Sequence, residues 1–208
     1  MELTPLGIEG AWLAESPVWS DERGFFREWF KSEDIEKATG KSFGIEQANI
    51  SVSSKGTLRG IHYSVAPRGQ AKWITCVAGS IKDVIVDIRP DSKTFKKWVE
   101  VELTGNSDKA VLISEGLGHG FIALEDNTAV AYLVSTPFSP SHEFEINPLD
   151  QEIGINWGMD LSELKISGKD KNAPSLAKSL ATLLVSAKQQ YTFTHRKSTF
   201  NEETSLKK

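Results

Sequence analysis

A single cysteine, Cys76, stands in the 208 residues, so no internal disulfide can form and a reducing compartment, the cytoplasm, is the expected setting. Basic residues are the minority: 24 Lys and Arg against 28 Asp and Glu give a net charge of -4. That balance lacks the basic excess of a nucleic-acid binder. No apolar run approaches the roughly 20 residues that cross a bilayer. The opening Met1-Glu2-Leu3-Thr4-Pro5 lacks the basic-then-apolar order of a secretory signal. Internal repeats are missing, as are a P-loop, a dinucleotide-binding glycine fingerprint, a serine nucleophile elbow and zinc-spaced cysteine pairs. Histidine is scarce too, with four in all and no His-x-His. Two lone histidines and a carboxylate would make a sparse metal shell, which argues against a metal-dependent oxygenase.

What the chain does have is a series of short β segments. Ala71–Val77, Ser80–Ile88, Trp98–Leu103, Ala110–Ile113, His119–Leu124 and Thr128–Val134 are strand-length and rich in Val, Ile and aromatics. Gly79, Pro90-Asp91, Gly105-Asn106 and Asp126-Asn127 punctuate them. Strands at this spacing predict an all-β, antiparallel jelly-roll or cupin barrel with a few short helices, mainly C-terminal. Helical signal is confined to Ser32–Thr39 and to a stretch where Asn172 and Pro174 precede Leu176, Leu180, Leu183 and Leu184. One domain is expected over residues 1–190, with a polar tail over 191–208.

Of the four histidines, His195 falls in the tail and His142 beside the Pro137–Pro140 loop, where both are expected to be solvated. His62 and His119 remain. A lone histidine in a strand is often a hydrogen-bonded structural residue. Here, however, glycines flank both closely, which suits backbone approach to a ligand, and Arg59 and Lys72 lie near His62, where a bound anion would partner them. If Asp126-Asn127 is a two-residue hairpin turn, His119 faces Val134 and Phe121 faces Tyr132, so His119 and Tyr132 share one sheet face. Cys76 lies mid-strand in an apolar run and is not expected to be a nucleophile.

Several segments, taken in order, resemble one family. They are Asp21-Glu22-Arg23-Gly24-Phe25-Phe26-Arg27-Glu28, Gln47–Ser53, Gly56–Tyr63, Gln70-Ala71-Lys72, Asp83–Arg89, Ser92–Phe95, Gly118-His119-Gly120-Phe121, Tyr132, Glu143 and Ser167-Gly168-Lys169-Asp170. Together they are similar to the dTDP-4-dehydrorhamnose 3,5-epimerases over roughly residues 1 to 176. The resemblance implies a cupin enzyme that is a homodimer with shared active-site elements and uses neither metal nor organic cofactor. Its substrate would be a dTDP-4-keto-6-deoxy sugar, epimerised at C3 and C5. His62 matches the family's general base, oriented by Asp170, and Tyr132 matches the acid on the other face of the sugar. Lys72 and His119 lie where the family holds the C4 oxygen. Gln47, Asn49, Arg59, Glu143 and Lys169 match substrate-contacting positions, and Arg23, Phe26 and Glu28 match the nucleotide end of a neighbour's pocket. Asp83 and Asp87, two further carboxylates on β positions, rival Asp170 as the partner of His62. Glu28 has an alternative reading as a surface charge, and Arg59 as a structural residue.

Three departures stand out. Phe138 occupies a position where many members carry Tyr, in a loop implied to stack on the base; stacking survives, but a hydroxyl contact is lost. Lys96-Lys97 replaces a common glycine after Phe95, which reads as a surface matter. The tail is not a family motif.

The residue types suit the chemistry. Protons beside a ketone are acidic only if the enolate is stabilised, so a carboxylate-oriented histidine, cationic donors at the oxygen and a phenolic acid opposite form a working set. A monofunctional 3- or 5-epimerase would keep the same residues. A non-catalytic sugar-nucleotide-binding cupin would have little reason to place a base and an acid together. Turnover should therefore be indifferent to EDTA; loss with EDTA and recovery with a divalent ion would overturn the metal-free reading.

Overall fold

The computed structural model describes residues 1–65, 69–185 and 188. The tail over 191–208, with His195, lies outside the described residues. One sheet is built from β1 (Glu2–Pro5), β2 (Ala11–Glu15), β5 (Gln47–Ser53), β7 (Lys72–Ala78), β10 (Lys109–Ile113) and β12 (Thr128–Val134), in the order β1-β2-β10-β7-β12-β5. The second runs β13-β6-β11-β8-β9, from β6 (Thr57–Ser64), β8 (Ser80–Val86), β9 (Trp98–Thr104), β11 (Gly118–Ala123) and β13 (Glu143–Glu145). These pairings are antiparallel; the short β14 (Lys165–Ile166) adds to β6 in parallel. A separate hairpin, β3 (Val18–Asp21) with β4 (Gly24–Arg27), stands off both sheets.

Period-2 alternation sorts the side chains into three apolar layers. Ile74 and Cys76 of β7, Val111 and Ile113 of β10, Val130 of β12, Ile81 and Ile85 of β8, Leu103 of β9 and Phe121 of β11 fill the space between the sheets. Their neighbours in sequence point outward. Trp73, Leu112 and Leu133 pack under Ile35 of α1 (Ser32–Thr39), and the Trp73 indole donates to the Trp29 carbonyl at 2.8 Å. Burying an aliphatic or aromatic side chain such as these contributes about 1.5–3 kcal/mol. On the other outer face Leu58, Tyr63, Val84, Val86 and Ile122 meet Ile146, Trp157, Leu176 and Leu183. Leu176 and Leu183 belong to a third helix, α3, over 176–185. The fold is the expected all-β jelly roll of the cupin class, and the expected strands are present to within a residue or two at their ends.

Three expectations change. The Asp126-Asn127 turn does not close a hairpin: β11 pairs with β6 and β8, whereas β12 pairs with β5 and β7 in the opposite sheet. The turn carries the chain from one sheet to the other, so the register that set Phe121 opposite Tyr132 does not exist. Asn172 does not open the late helix but closes α2 (Gly168–Lys171); Ser175 and Asp150 accept from the first amides of α3, and Leu184 faces solvent. Lys96 is more than a surface substitution. It holds φ +68° and pairs with Glu152 at 2.7 Å, so a lysine occupies a left-handed position that favours glycine.

Asp87, just past β8, anchors the following loop. Arg89, Ser92 and Thr94 all donate to its fully buried carboxylate. Burial pushes this carboxyl up, but those hydrogen bonds outweigh it and bring it down to about 2. Its stabilisation is therefore complete above the unfolded value, near pH 4, and is lost as pH falls toward 2. Asp87→Asn should lower the unfolding free energy by about 2 kcal/mol at pH 7, with the difference shrinking between pH 4 and pH 2. Urea unfolding at both ends checks this; a difference constant across that range would reject it.

Candidate active site

The sandwich opens at one end into a cavity of about 350 Å³. Gln47 and Asn49 on β5, His62 on β6, Lys72 on β7, and Tyr132 and Val134 on β12 form its wall, with Glu143 and Phe144 of β13, Lys169 of α2 (Gly168–Lys171) and the connecting residues Gln70 and Phe138 at the rim. Eight of the fourteen residues expected at the site line this one space.

How His62 reaches it follows from an irregularity. On β11, His119 and Phe121 are two apart; their partners on β6, His62 and Arg59, are three apart. The extra residue is a β-bulge, which re-aims side chains. Arg59 and His62 would otherwise fall on opposite faces. With the bulge both lie on the inner face, where their partners His119 and Phe121 also lie. Gly60 makes the bulge possible: it holds φ +118°, and a Cβ there would sit 2.6 Å from the Gly120 Cα. The flanking glycines thus serve the contact between β6 and β11 rather than approach to a ligand.

His62 Nε2 is 2.7 Å from Asp170 Oδ1. Asp170 is set by its own motif: the Ser167 hydroxyl caps α2 by accepting from the Asp170 amide at 3.0 Å. Burial pushes the Asp170 carboxyl up, and the bond to His62 together with the Ser167 contact more than reverses this, leaving it below the usual range. Asp170, and neither rival, is therefore the partner of His62. Asp83 instead meets His119 Nε2 at 2.7 Å, and Asp87 is committed to its loop. The two histidine–aspartate pairs differ in access. The His62 side chain is 38% exposed, that of His119 only 10%, so His119 is the more enclosed of the two.

Lys72 is half-buried and faces the cavity; desolvation pulls its ammonium down, while Glu143 and Asp83 draw it back up. Burial raises the Tyr132 phenol, which Arg59 opposes and Glu143 reinforces. Arg59 itself donates to the Ser53 hydroxyl at 3.2 Å and does not line the space. At the rim Gln47 bridges Asn49 at 2.7 Å and the Phe138 amide at 3.1 Å, Gln70 reaches Glu143 at 3.3 Å, and Lys169 pairs with Glu145 at 3.0 Å. Phe138 is 60% exposed, a free ring beside the opening. His142 is held by Ser139 and Ser141 away from the wall. Arg23, Phe26 and Glu28 are exposed on or beside the β3–β4 hairpin and line no part of this chain's cavity; Arg23 folds back on Asp21. Sequence reasoning assigned no role to Gln70, Phe144 and Val134, although Gln70 sits beside Lys72 in a motif already singled out. No cluster of three metal-binding side chains occurs among the described residues.

Comparison with known proteins gives a consistent result. The family model described as dTDP-4-dehydrorhamnose 3,5-epimerase matches residues 5–178. A dTDP-4-dehydro-6-deoxyglucose 3-epimerase of Streptomyces bikiniensis is 44% identical over 173 residues, 83% of this chain and 88% of that one. A dTDP-4-dehydrorhamnose 3,5-epimerase of Mycolicibacterium smegmatis is 44% identical over 181 residues, 87% of this chain and 89% of that one. A solved epimerase from Mycobacterium tuberculosis superposes with a TM-score of 0.87 at 39% identity, over 93% of this chain and 98% of that chain.

The unequal access of the two histidines is open to test. Diethyl pyrocarbonate, followed by peptide mass spectrometry, should modify His62 well before His119. Equal rates would mean that His119 is not enclosed as described.

Proposed function

Because the chain belongs to the dTDP-4-dehydrorhamnose 3,5-epimerase family, we propose that it is an isomerase that epimerises a dTDP-4-keto-6-deoxyhexose in deoxysugar biosynthesis. One observation carries the reading: a histidine held by a carboxylate at 2.7 Å, on the wall of a cavity that a lysine and a tyrosine also line. His62 removes the proton from a carbon beside the ketone. Asp170 fixes its ring and stabilises the imidazolium that forms. Charge then develops on the C4 oxygen, where Lys72 and His119 meet it. Tyr132 returns a proton from the other face, so the carbon inverts. No electrons are transferred, and the arrangement asks for no redox cofactor.

Gln47, Asn49, Arg59, Glu143 and Lys169 bind the remainder of the substrate, and Phe138 stacks on its base. The exposed Arg23, Phe26 and Glu28 serve the pocket of a second subunit in a homodimer. Trp19 and Phe25 are also exposed on that hairpin, and such aromatic surface is characteristic of a contact. A cytoplasmic setting agrees with a free, buried thiol. Inversion at C3 alone is a second reading, since the Streptomyces bikiniensis relative that carries that name is as similar as the 3,5-epimerase.

The roles of base and acid separate in heavy water. In Tyr132→Phe the base and oxyanion donors remain, so deuterium should still enter C3 or C5 with configuration retained. Epimerised product should fall by at least ~10²-fold, and exchange much less. His62→Ala should abolish both. NMR of the 4-keto sugar reads each carbon separately, which also decides between inversion at C3 alone and at both centres. If exchange and epimerisation collapse together in Tyr132→Phe, the tyrosine acts in abstraction or binding instead.

A further inference from the structure

Gln70 lines the cavity two residues before Lys72, and the epimerisation described above does not employ it. Its backbone is fixed on both sides by one segment, the connection after β12. The Ala71 amide donates to the Ser135 hydroxyl at 2.8 Å, and the Ser135 amide to the Ala71 carbonyl at 3.1 Å. The Thr136 hydroxyl donates to the Gly69 carbonyl at 2.8 Å.

The side chain is equally constrained. Its Nε2 donates to the Thr136 carbonyl at 2.9 Å and to Glu143 Oε1 at 3.3 Å. A carbonyl and a carboxylate only accept, so the NH₂ limb must face them and the amide cannot be flipped. That leaves Oε1 on the other limb. Among the described residues no donor reaches it, and it is not one of the enclosed polar atoms left without a partner, so it is open to solvent. The cavity's other two side-chain amides differ: Gln47 has its oxygen on the Phe138 amide, and Asn49 has its own on Gln47. Gln70 alone of the three offers a free acceptor, on a rigid arm.

An acceptor in a sugar site needs a hydroxyl. On a 4-keto-6-deoxyhexose with its C4 oxygen at Lys72, the two edges of the ring are unlike. One carries C2 and C3 with a hydroxyl each; the other carries C5 with a methyl group, and the ring oxygen. Only the first edge can donate. We propose that Gln70 is a specificity-determining residue whose Oε1 accepts from a hydroxyl on the C2–C3 edge, so that the site selects sugars that carry it. This rests on the epimerase reading. The contact also fixes which edge of the ring turns toward Gln70, and so holds the carbons beside the ketone in one orientation to His62.

The test follows deuterium uptake beside the ketone in heavy water for three dTDP-4-keto-6-deoxy sugars: the parent, its 2-deoxy analogue and its 3-deoxy analogue. Wild type is compared with Gln70→Met, which keeps the length and removes the amide. Comparing proteins cancels any intrinsic difference in acidity between the sugars. The kcat/KM preference for the parent over one of the analogues should be about 10-fold greater in wild type than in the variant, as on losing one neutral hydrogen bond. For the other analogue the two proteins should agree within about 2-fold, the scatter of uncoupled changes. A role confined to holding Glu143 would slow all three sugars by one factor and leave both preferences as in wild type, which would overturn the proposal. Should Gln70→Met not fold, 15N-labelled wild type decides: the Gln70 side-chain amide should shift on binding the parent and stay in place with the analogue that lacks the hydroxyl. Equal shifts with all three would also overturn it. No uptake into any of the three by wild type would defeat the epimerase reading, and the amide shifts would then decide this one.

Discussion

At Gly60 the backbone of β6 lies so near β11 that a single methyl group would collide with the Gly120 Cα at 2.6 Å. That contact depends on glycine on both strands, and the bulge it accommodates decides which residues enter the sandwich. Without the extra residue, the inner face of β6 would present either Arg59 or His62 but not both. With it, a strand whose other positions bury Leu58, Ile61 and Tyr63 on the outer layer delivers a base to the inner one. The cavity wall, the Asp170 contact and the pairing of His62 beside His119 all follow from this one local break in alternation.

The polar groups that result are arranged by depth. Near the mouth, Gln47, Asn49, Gln70, Glu143 and Lys169 form hydrogen bonds among themselves or with nearby backbone and Glu145, ready to exchange those partners for a polar ligand. Midway sit His62, Lys72 and Tyr132. Behind the wall is Asp83, fixed to His119 and closed to solvent. A low-dielectric floor strengthens every electrostatic contact made above it. Asp83 is the hydrogen-bond partner of His119 there, and it also helps to keep the Lys72 ammonium charged.

The sequence was informative wherever signals were local. Strands with alternating Val, Ile and aromatics, and α1 with its acidic first turn and Gly40 in left-handed conformation at its end, were legible because neighbours in sequence determine them. The Ser167-x-x-Asp170 pattern likewise encodes its own cap. The failures were non-local. Asp126-Asn127 has turn chemistry, with Asn127 at φ +55°, but a turn does not specify whether the next strand pairs back or crosses to the facing sheet. Glycines beside His62 and His119 signalled close approach correctly and its object wrongly, since the object was another strand. Which aspartate serves which histidine was also invisible locally. Asp83 and Asp170 are separated from their partners by 36 and 108 positions, and the family resemblance alone favoured the correct pairing for His62.

Cys76 closes off a different question. It is the only thiol in the chain, it is fully buried between the sheets, and its sulfur donates to the Ala78 carbonyl. Burial pushes the thiol up, away from the reactive thiolate. A water-borne thiol reagent can therefore reach it only when β7 parts from the facing sheet. The native chain carries a built-in clock for the opening of its sandwich, with one labelling event per molecule and no background from other cysteines.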